Sequence, residues 1–371
     1  MKMQIGTHEI SRSSACFVIA EIGQNHQGDV ATAKKLFDVA SAAGASAVKL
    51  QKRGNKAIFT RKAYDQPYDN DYSFGKTYGE HREALEFNKA QYAELKAHAE
   101  SKGLVFFATA FDVASVDFLE ELGVPAYKIA SFDVNNHPLL AYIASKGKPV
   151  FISTGGSTMD EVQQAYEILR KGTDQICILQ CTSAYPAKSE DLNLAVIKNY
   201  LAEFPEAVIG FSSHENGIEA PVIAVTLGAR VIEKHLTLDH TQKGRDHAFS
   251  LEPPGMQKMI RDINRIPKML GSIEKVCLPV ELLAKEKLSK SLYFATDLPA
   301  WHVLAAEDII VKSPGVGIPP SQLQFIIGRV LKASVEAEDI VSEQLLVEKK
   351  KPAVQVVPDQ YAGFGGPPFC F

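Results

Sequence analysis

The chain is poor in tryptophan, with Trp301 alone among 371 residues, and poor in cysteine, with five. Cys16, Cys177, Cys181, Cys277 and Cys370 are odd in number and scattered. That argues against a disulfide framework and points to a reducing, cytoplasmic setting. Cys177 and Cys181 share one strand face, which suits packing better than a zinc knuckle. No apolar run approaches bilayer-spanning length. The N-terminus lacks a basic segment followed by an apolar one, so no signal peptide is expected. An excess of positive charge is missing as well. Forty Lys and Arg against 44 Asp and Glu leave a formal net charge of −4, which argues against non-specific nucleic-acid binding. An anionic substrate would have to be held by local lysines rather than by an overall basic field.

What is present is a repeated layout. Val208 to His214 and Val231 to His235 are successive apolar runs, each closing on a histidine. Six earlier runs end near Glu21, Lys49 with Gln51, Thr109, Lys128, Ser153 and Cys181. Helices with start and stop signals lie between them: Asp29 before and Gly44 after one, Asp112 and Gly123 around another, and a Thr158–Glu161 capping box before a third. Strand and helix in alternation give parallel βαβ units. Eight of them, with polar residues at the strand C-termini, predict an α/β fold of the (β/α)8 TIM-barrel type.

The alternation breaks between Gln51 and Asn88. This stretch is far longer than an ordinary βα loop and reads as an active-site lid or as a surface excursion with its own aromatic core. It carries Tyr64, Tyr68, Tyr72, Phe74 and Tyr78 among Arg61, Lys62 and Lys76. The barrel is expected over residues 1–272, followed by a charged helical linker over 273–290. Short β-like runs at Leu292–Ala295, Ile309–Val311 and Val330–Ala333 predict a small β-rich domain over 291–349. Residues 350–371 read as a flexible tail.

Strand parity puts Lys49 and Gln51 on one face, with Val48 and Leu50 on the other. Glu21, Ser212 with His214, and Glu233 with His235 also face the barrel interior, where each charge must find a partner or a ligand. His214 and His235, on neighbouring strands, suit one divalent metal (Mn2+ or Mg2+, with Zn2+ also compatible with imidazole), assisted by Glu21, Asp133 or Asp246. Two hydrogen-bonded histidines at a barrel rim would have the same spacing. Lys49 and Lys128 suit the clamping of a carboxylate or phosphate, or the pairing of each with a neighbouring carboxylate. Ser131, Ser153, Ser183 and Ser212 add hydroxyls, and Gly155-Gly156 permits close backbone approach. These patterns leave two chemistries open: a Schiff-base aldolase on Lys49, Lys128 or Lys234, and a metal-assisted addition with lysines holding an anionic co-substrate.

Five runs, in order along the chain, resemble the sialic acid synthase family: Ala20–Asp29, Ala47–Lys52, Lys128–Ser131, Gln180–Pro186 and Ile232–Asp239. The terminal region resembles the antifreeze-like (SAF) domain that those enzymes carry. The resemblance implies condensation of phosphoenolpyruvate with an N-acylmannosamine or its 6-phosphate. It assigns Lys49, Thr109, Lys128, Ser131, Ser153, Ser183 and Ser212 to phosphoenolpyruvate, and His214 and His235 to the metal. Glu21, Gln51, Tyr185 and Asp246 fall around the acceptor and the reacting centre. Asp133 stands where many members have Glu. It also implies a homodimer whose SAF domain caps the partner's barrel. Lys312-Ser313-Pro314-Gly315 departs from the bacterial Lys-Arg-Pro-Gly, so the arginine contact to the acceptor is missing. Gly75–His81 looks like the animal-type 9-phosphate synthases, which points to a phosphorylated acceptor, with Lys76 either its phosphate contact or a solvated loop lysine. Related enzymes acting on legionaminic or pseudaminic precursors are the nearest alternatives.

Overall fold

A computed structural model describes residues 2–348; the tail expected over 350–371, with Cys370, lies outside the described residues. The chain forms two compact units, the first ending at Gly271 and the second beginning at Ser272.

The first unit opens with a hairpin of β1 (Lys2–Ile5) and β2 (His8–Ser11), which the alternation of apolar residues did not announce. Its Met3, Ile5 and Ile10 join the main core. Eight parallel strands then close a barrel: β3 (Phe17–Gly23), β4 (Ala47–Lys52), β5 (Val105–Ala110), β6 (Tyr127–Ile129), β7 (Val150–Ser153), β8 (Ile176–Cys181), β9 (Val208–Ser213) and β10 (Val231–His235). The last pairs back with the first, His235 lying opposite Glu21. Every residue of β3, β6, β7, β8, β9 and β10 is buried, as a sheet covered on both faces requires. Inside, Phe151 stacks between Phe17 and Phe107 at ring distances of 6.2 and 5.2 Å. These rings plug the lower barrel, so the polar residues one or two pleats further along share the upper end.

The helix signals act as expected. Asp29 caps α1 (Val30–Ala43), accepting from the amides of Ala31 and Thr32, and Gly44 ends it in the left-handed region at φ 88°. Asp112 caps the helix Val113–Leu122, and the Thr158–Glu161 capping box starts the helix Met159–Leu169. The insertion after β4 folds into three short helices, α2 (Asn55–Ile58), α3 (Arg61–Tyr64) and α4 (Tyr78–Glu83).

In the second unit, β11 (Ser291–Phe294) and β12 (Ile309–Lys312) pair antiparallel. A separate small core surrounds Leu292, Phe294, Leu304 and Leu331. The run Val330–Ala333 does not form a strand: Val330 and Leu331 make single bridges to Val303 and Leu346. Its amides are bonded to irregular segments (Leu331 to His302, Lys332 to Leu345), which leaves no neighbour for a ladder. The charged stretch expected to be helical over 273–290 is regular only at Pro279–Glu281, a single 3-10 turn, and Leu282–Leu288.

Candidate active site

The C-terminal ends of the barrel strands open into a cavity of about 600 Å3. Its floor is a buried quartet of charges. The Lys49 ammonium lies 2.8 Å from Glu21 Oε2 and 3.8 Å from Glu233 Oε2. Lys128 Nζ donates to Glu233 Oε1 at 2.7 Å. Lys49 also donates to Thr109 Oγ1 (2.8 Å), and Ser212 Oγ to Glu233 Oε1 (3.1 Å). Two lysines and two carboxylates held this way compensate one another, the condition on which buried charge is tolerated. Their titration is nonetheless pulled apart. Burial pushes the Glu21 carboxyl up against the opposing pull of Lys49. At Glu233 burial works in the same sense, but Lys128 and Lys49 outweigh it and hold the carboxyl below its ordinary range. Burial also pushes the Lys128 ammonium down, opposed by Glu233.

Next to the quartet stand His214 and His235, ring centroids 5.5 Å apart. His214 Nδ1 lies 3.0 Å from the carbonyl oxygen of Thr182, so that nitrogen carries the proton and the Nε2 lone pair is available. His235 Nδ1 is buried without a hydrogen-bond partner, 3.9 Å from Asp246 Oδ2. Burial, then the charges of His214 and Lys49, push His235 far down, which keeps its ring neutral. Gly23, at φ 53°, marks where these groups meet. A Cβ there would lie 3.3 to 3.4 Å from Glu21 Oε1, Asp246 Oδ2 and His235 Cε1. Two available imidazole nitrogens beside carboxylates fit a divalent ion. Among the described residues no group of three or more His, Cys, Asp or Glu side chains is arranged to hold one. An ion at this place would therefore complete its shell with substrate and water.

On the other side of the floor, Ser131 Oγ accepts the amide of Gly155 at 3.0 Å, while the Ser153 and Ser183 hydroxyls are buried with no partner. A Cβ on Gly155 would sit 2.2 Å from Ser183 Oγ and 3.1 Å from Ser131 Oγ, so glycine is what leaves room between these hydroxyls. The unpartnered Ser153 hydroxyl, on the cavity wall with Lys128, suits an anion.

Of the residues picked out from the sequence, the cavity wall brings together Glu21, Lys49, Gln51, Thr109, Lys128, Ser131, Ser153, Tyr185, Ser212, His214, His235 and Asp246. Three stand apart from it. Ser183 lies behind the wall against Gly155. Asp133 sits in the 3-10 turn Ser131–Asp133, which turns its carboxylate away to accept from Asn136 Nδ2 at 3.0 Å. Lys76 is exposed in the insertion and lines no part of the cavity. The sequence reading in turn passed over Glu233 as a site residue, although its strand parity had placed it on the interior face. It also passed over Arg53, Arg82 and Arg245, which line the mouth.

The NeuB family pattern matches residues 36–275, and that of the SAF domain matches residues 289–347. The N-acetylneuraminate-9-phosphate synthase of Homo sapiens is 44% identical over 332 residues, covering 89% of this chain and 92% of its own. The N,N'-diacetyllegionaminic acid synthase of Legionella pneumophila is 36% identical, covering 88% and 93%. Among solved structures, the N-acetylneuraminic acid (sialic acid) synthetase from Leptospira borgpetersenii, in complex with citrate, superposes with a TM-score of 0.67 at 33% identity. That match covers 76% of this chain and 95% of the other.

Proposed function

The chain belongs to the NeuB family, and on that footing we propose that it condenses phosphoenolpyruvate with N-acetylmannosamine 6-phosphate to give N-acetylneuraminate 9-phosphate and phosphate. The observation that carries this reading is the charge quartet of Glu21, Lys49, Lys128 and Glu233 set beside the imidazoles of His214 and His235. The ammoniums of Lys49 and Lys128, bonded to Glu21 and Glu233, are the donors that an incoming anion would share with those carboxylates. Lys49, Lys128 and the hydroxyls of Ser131, Ser153 and Ser212 hold phosphoenolpyruvate by its carboxylate and phosphate. Lys49 and Lys128 are each in an ion pair, and Lys234, paired with Glu215, does not line the cavity, which favours anion holding over Schiff-base formation.

His214 and His235 would hold the divalent ion, Mn2+ or Mg2+, which when bound polarises the acceptor's aldehyde oxygen. C3 of phosphoenolpyruvate then bonds to the aldehyde carbon, and positive character grows at C2. Glu21, its carboxylate oriented by Gln51 Nε2 at 2.9 Å, stabilises that charge. Water adds at C2, its proton leaves, and the C–O bond to phosphate breaks, so one water is consumed and one phosphate released. Tyr185, tilted over His214 at 4.4 Å, and Asp246 flank the acceptor.

The proposal includes a cytoplasmic homodimer in which the second unit of one chain covers the partner's barrel mouth. Exposed Trp301, Val303 and Phe325 on that unit supply an apolar surface for such a contact. Ser313 does not replace the bacterial arginine, being held by Lys290 Nζ (2.6 Å) and the Leu288 carbonyl (3.1 Å).

Phosphate release from phosphoenolpyruvate with Mn2+ tests the reaction. Turnover of the 6-phosphate, faster than of N-acetylmannosamine and abolished by EDTA, is the expected result. Release with neither sugar overturns it and directs the search to diamino-sugar acceptors.

A further inference from the structure

We propose that Arg53, Arg82 and Arg245, with the imidazole of His81, form a phosphate-monoester subsite at the cavity mouth that receives the 6-phosphate of the acceptor and sets the enzyme's preference for it. The inference rests on the reaction proposed above.

The cavity has two cationic ends. At the floor, Lys49 and Lys128 are paired with Glu21 and Glu233. At the mouth, Arg53, Arg82 and Arg245 line the wall, and none has a carboxylate within 4.0 Å among the described residues. Three guanidinium groups collected with no carboxylate in ion-pair contact, in a chain of net charge −4, call for an anionic ligand. The cluster is built, because aromatic and amide groups hold the guanidiniums in place. Arg53 lies over the Phe111 ring at 4.1 Å and donates to Gln51 Oε1 at 2.5 Å. Arg82 donates twice to the Tyr78 hydroxyl, at 3.0 and 2.6 Å. Arg245 lies 6.0 Å from the Tyr68 ring centre. The guanidinium N–H groups not used in these bonds remain for phosphate oxygens.

His81 adds a neutral donor. Its Nδ1 accepts the amide of Phe74 at 3.1 Å, so in the neutral ring the proton sits on Nε2, which has no partner among the described residues. Burial first, and then the charges of Arg82, Arg245, Lys243 and Arg53, push the ring down to about 4. It therefore supplies an N–H without adding a further repelling charge.

Position identifies the ligand's far end. Asp246, half-buried, lies 3.9 Å from His235 Nδ1 and follows Arg245 in the chain, so it joins the two regions. An open-chain sugar with its aldehyde at His214 and His235 thus extends past Asp246 to the arginines, where a phosphate on its last carbon would lie. A second phosphoenolpyruvate is not needed to explain them, since that anion's donors are on the floor.

The test uses the full-length chain and both sugars at saturating phosphoenolpyruvate. Arg245 is exposed, so Arg245→Ala should fold normally; Arg82→Gln is the second variant. In each, the ratio of kcat/KM for N-acetylmannosamine 6-phosphate over N-acetylmannosamine should fall at least about tenfold, as expected for loss of a charge-assisted hydrogen bond. Arg245→Lys should recover part of it. An unchanged ratio in folded variants, or equal losses with both sugars, overturns the subsite. Calorimetric binding of N-acetylmannosamine 6-phosphate separates this from the reaction itself. Binding that the variants weaken, in a protein that releases no phosphate from phosphoenolpyruvate, upholds the subsite and overturns the reaction. Turnover of the phosphorylated sugar with an unaltered ratio does the reverse.

Discussion

At the scale of single residues, the floor quartet has an asymmetric energetic signature. Removing one member of a buried pair leaves its partner uncompensated, at a cost of about 3–5 kcal/mol. Lys128→Met should therefore lower the melting temperature sharply by stranding Glu233, while Lys128→Met with Glu233→Gln should recover most of that stability and none of the activity. Differential scanning fluorimetry beside the phosphate-release assay reads both; a double variant no more stable than the single would break the argument. A second residue-scale expectation concerns His26, fully buried against the Phe87 ring at 4.3 Å, its Nδ1 accepting the amide of Gly28. Burial pushes it from the ordinary 6.5 down to about 3. Below pH 6.5 the unfolded chain takes up a proton there that the folded chain refuses. Its contribution to stability is therefore whole above pH 6.5 and is lost progressively as pH falls from 6.5 towards 3. The fall in melting temperature between pH 7.5 and 5 should be shallower in His26→Gln; an identical slope would assign acid sensitivity elsewhere.

At the scale of elements, two glycines hold segments at distances that no side chain would allow. A Cβ on Gly79 would enter the Tyr64 ring at 2.3 to 2.4 Å, so Gly79→Ala should prise α4 from α3 and displace Arg82 with it. The expected result is a raised KM for the phosphorylated acceptor with an unaltered KM for phosphoenolpyruvate. Gly155→Ala should do the opposite, because its methyl would occupy the space between the Ser131 and Ser183 hydroxyls. There the KM for phosphoenolpyruvate should rise about tenfold or more, as lost charge-assisted bonds imply. Interchange of the two effects in steady-state kinetics would mean that the two ends of the cavity have been assigned the wrong way round. The elements were also where sequence reading was most secure. Six of the eight barrel strands are buried along their whole length, and the helices Val30–Ala43, Lys89–Ser101, Val113–Leu122, His137–Ala144 and Met159–Leu169 carry side-chain caps whose geometry is local. The insertion was less legible. Its aromatic residues serve both purposes at once, packing together (Tyr68 and Tyr78 at 5.3 Å) and lining the mouth with Tyr68, Tyr72 and Phe74.

At the scale of the whole molecule, the second unit carries a core of its own. Deleting residues 288–371 should leave a folded barrel that runs as a monomer on size exclusion, with weakened acceptor binding. Unchanged steady-state kinetics and an unchanged elution volume would remove the SAF domain from the proposed dimer.

The sequence by itself determined the barrel and most of its floor. Strand parity is a property of two neighbouring residues, so Glu21, Lys49, Gln51, Ser212, His214 and His235 could be placed on the interior face before any fold was known. The same parity held Glu233, but its role emerged only when β10 closed the barrel and brought it to Lys128 from 105 positions away. Only the tertiary structure decided the mouth. Lys76 and Arg82 lie six positions apart in one insertion, and no periodicity says which of them faces inward. α4 and its contact with Tyr64 put Arg82 on the wall and leave Lys76 in solvent. Arg53 and Arg245 join it from loops after the second and last barrel strands, segments distant in the chain that come near one another because closure of the barrel leaves only its first strand between them.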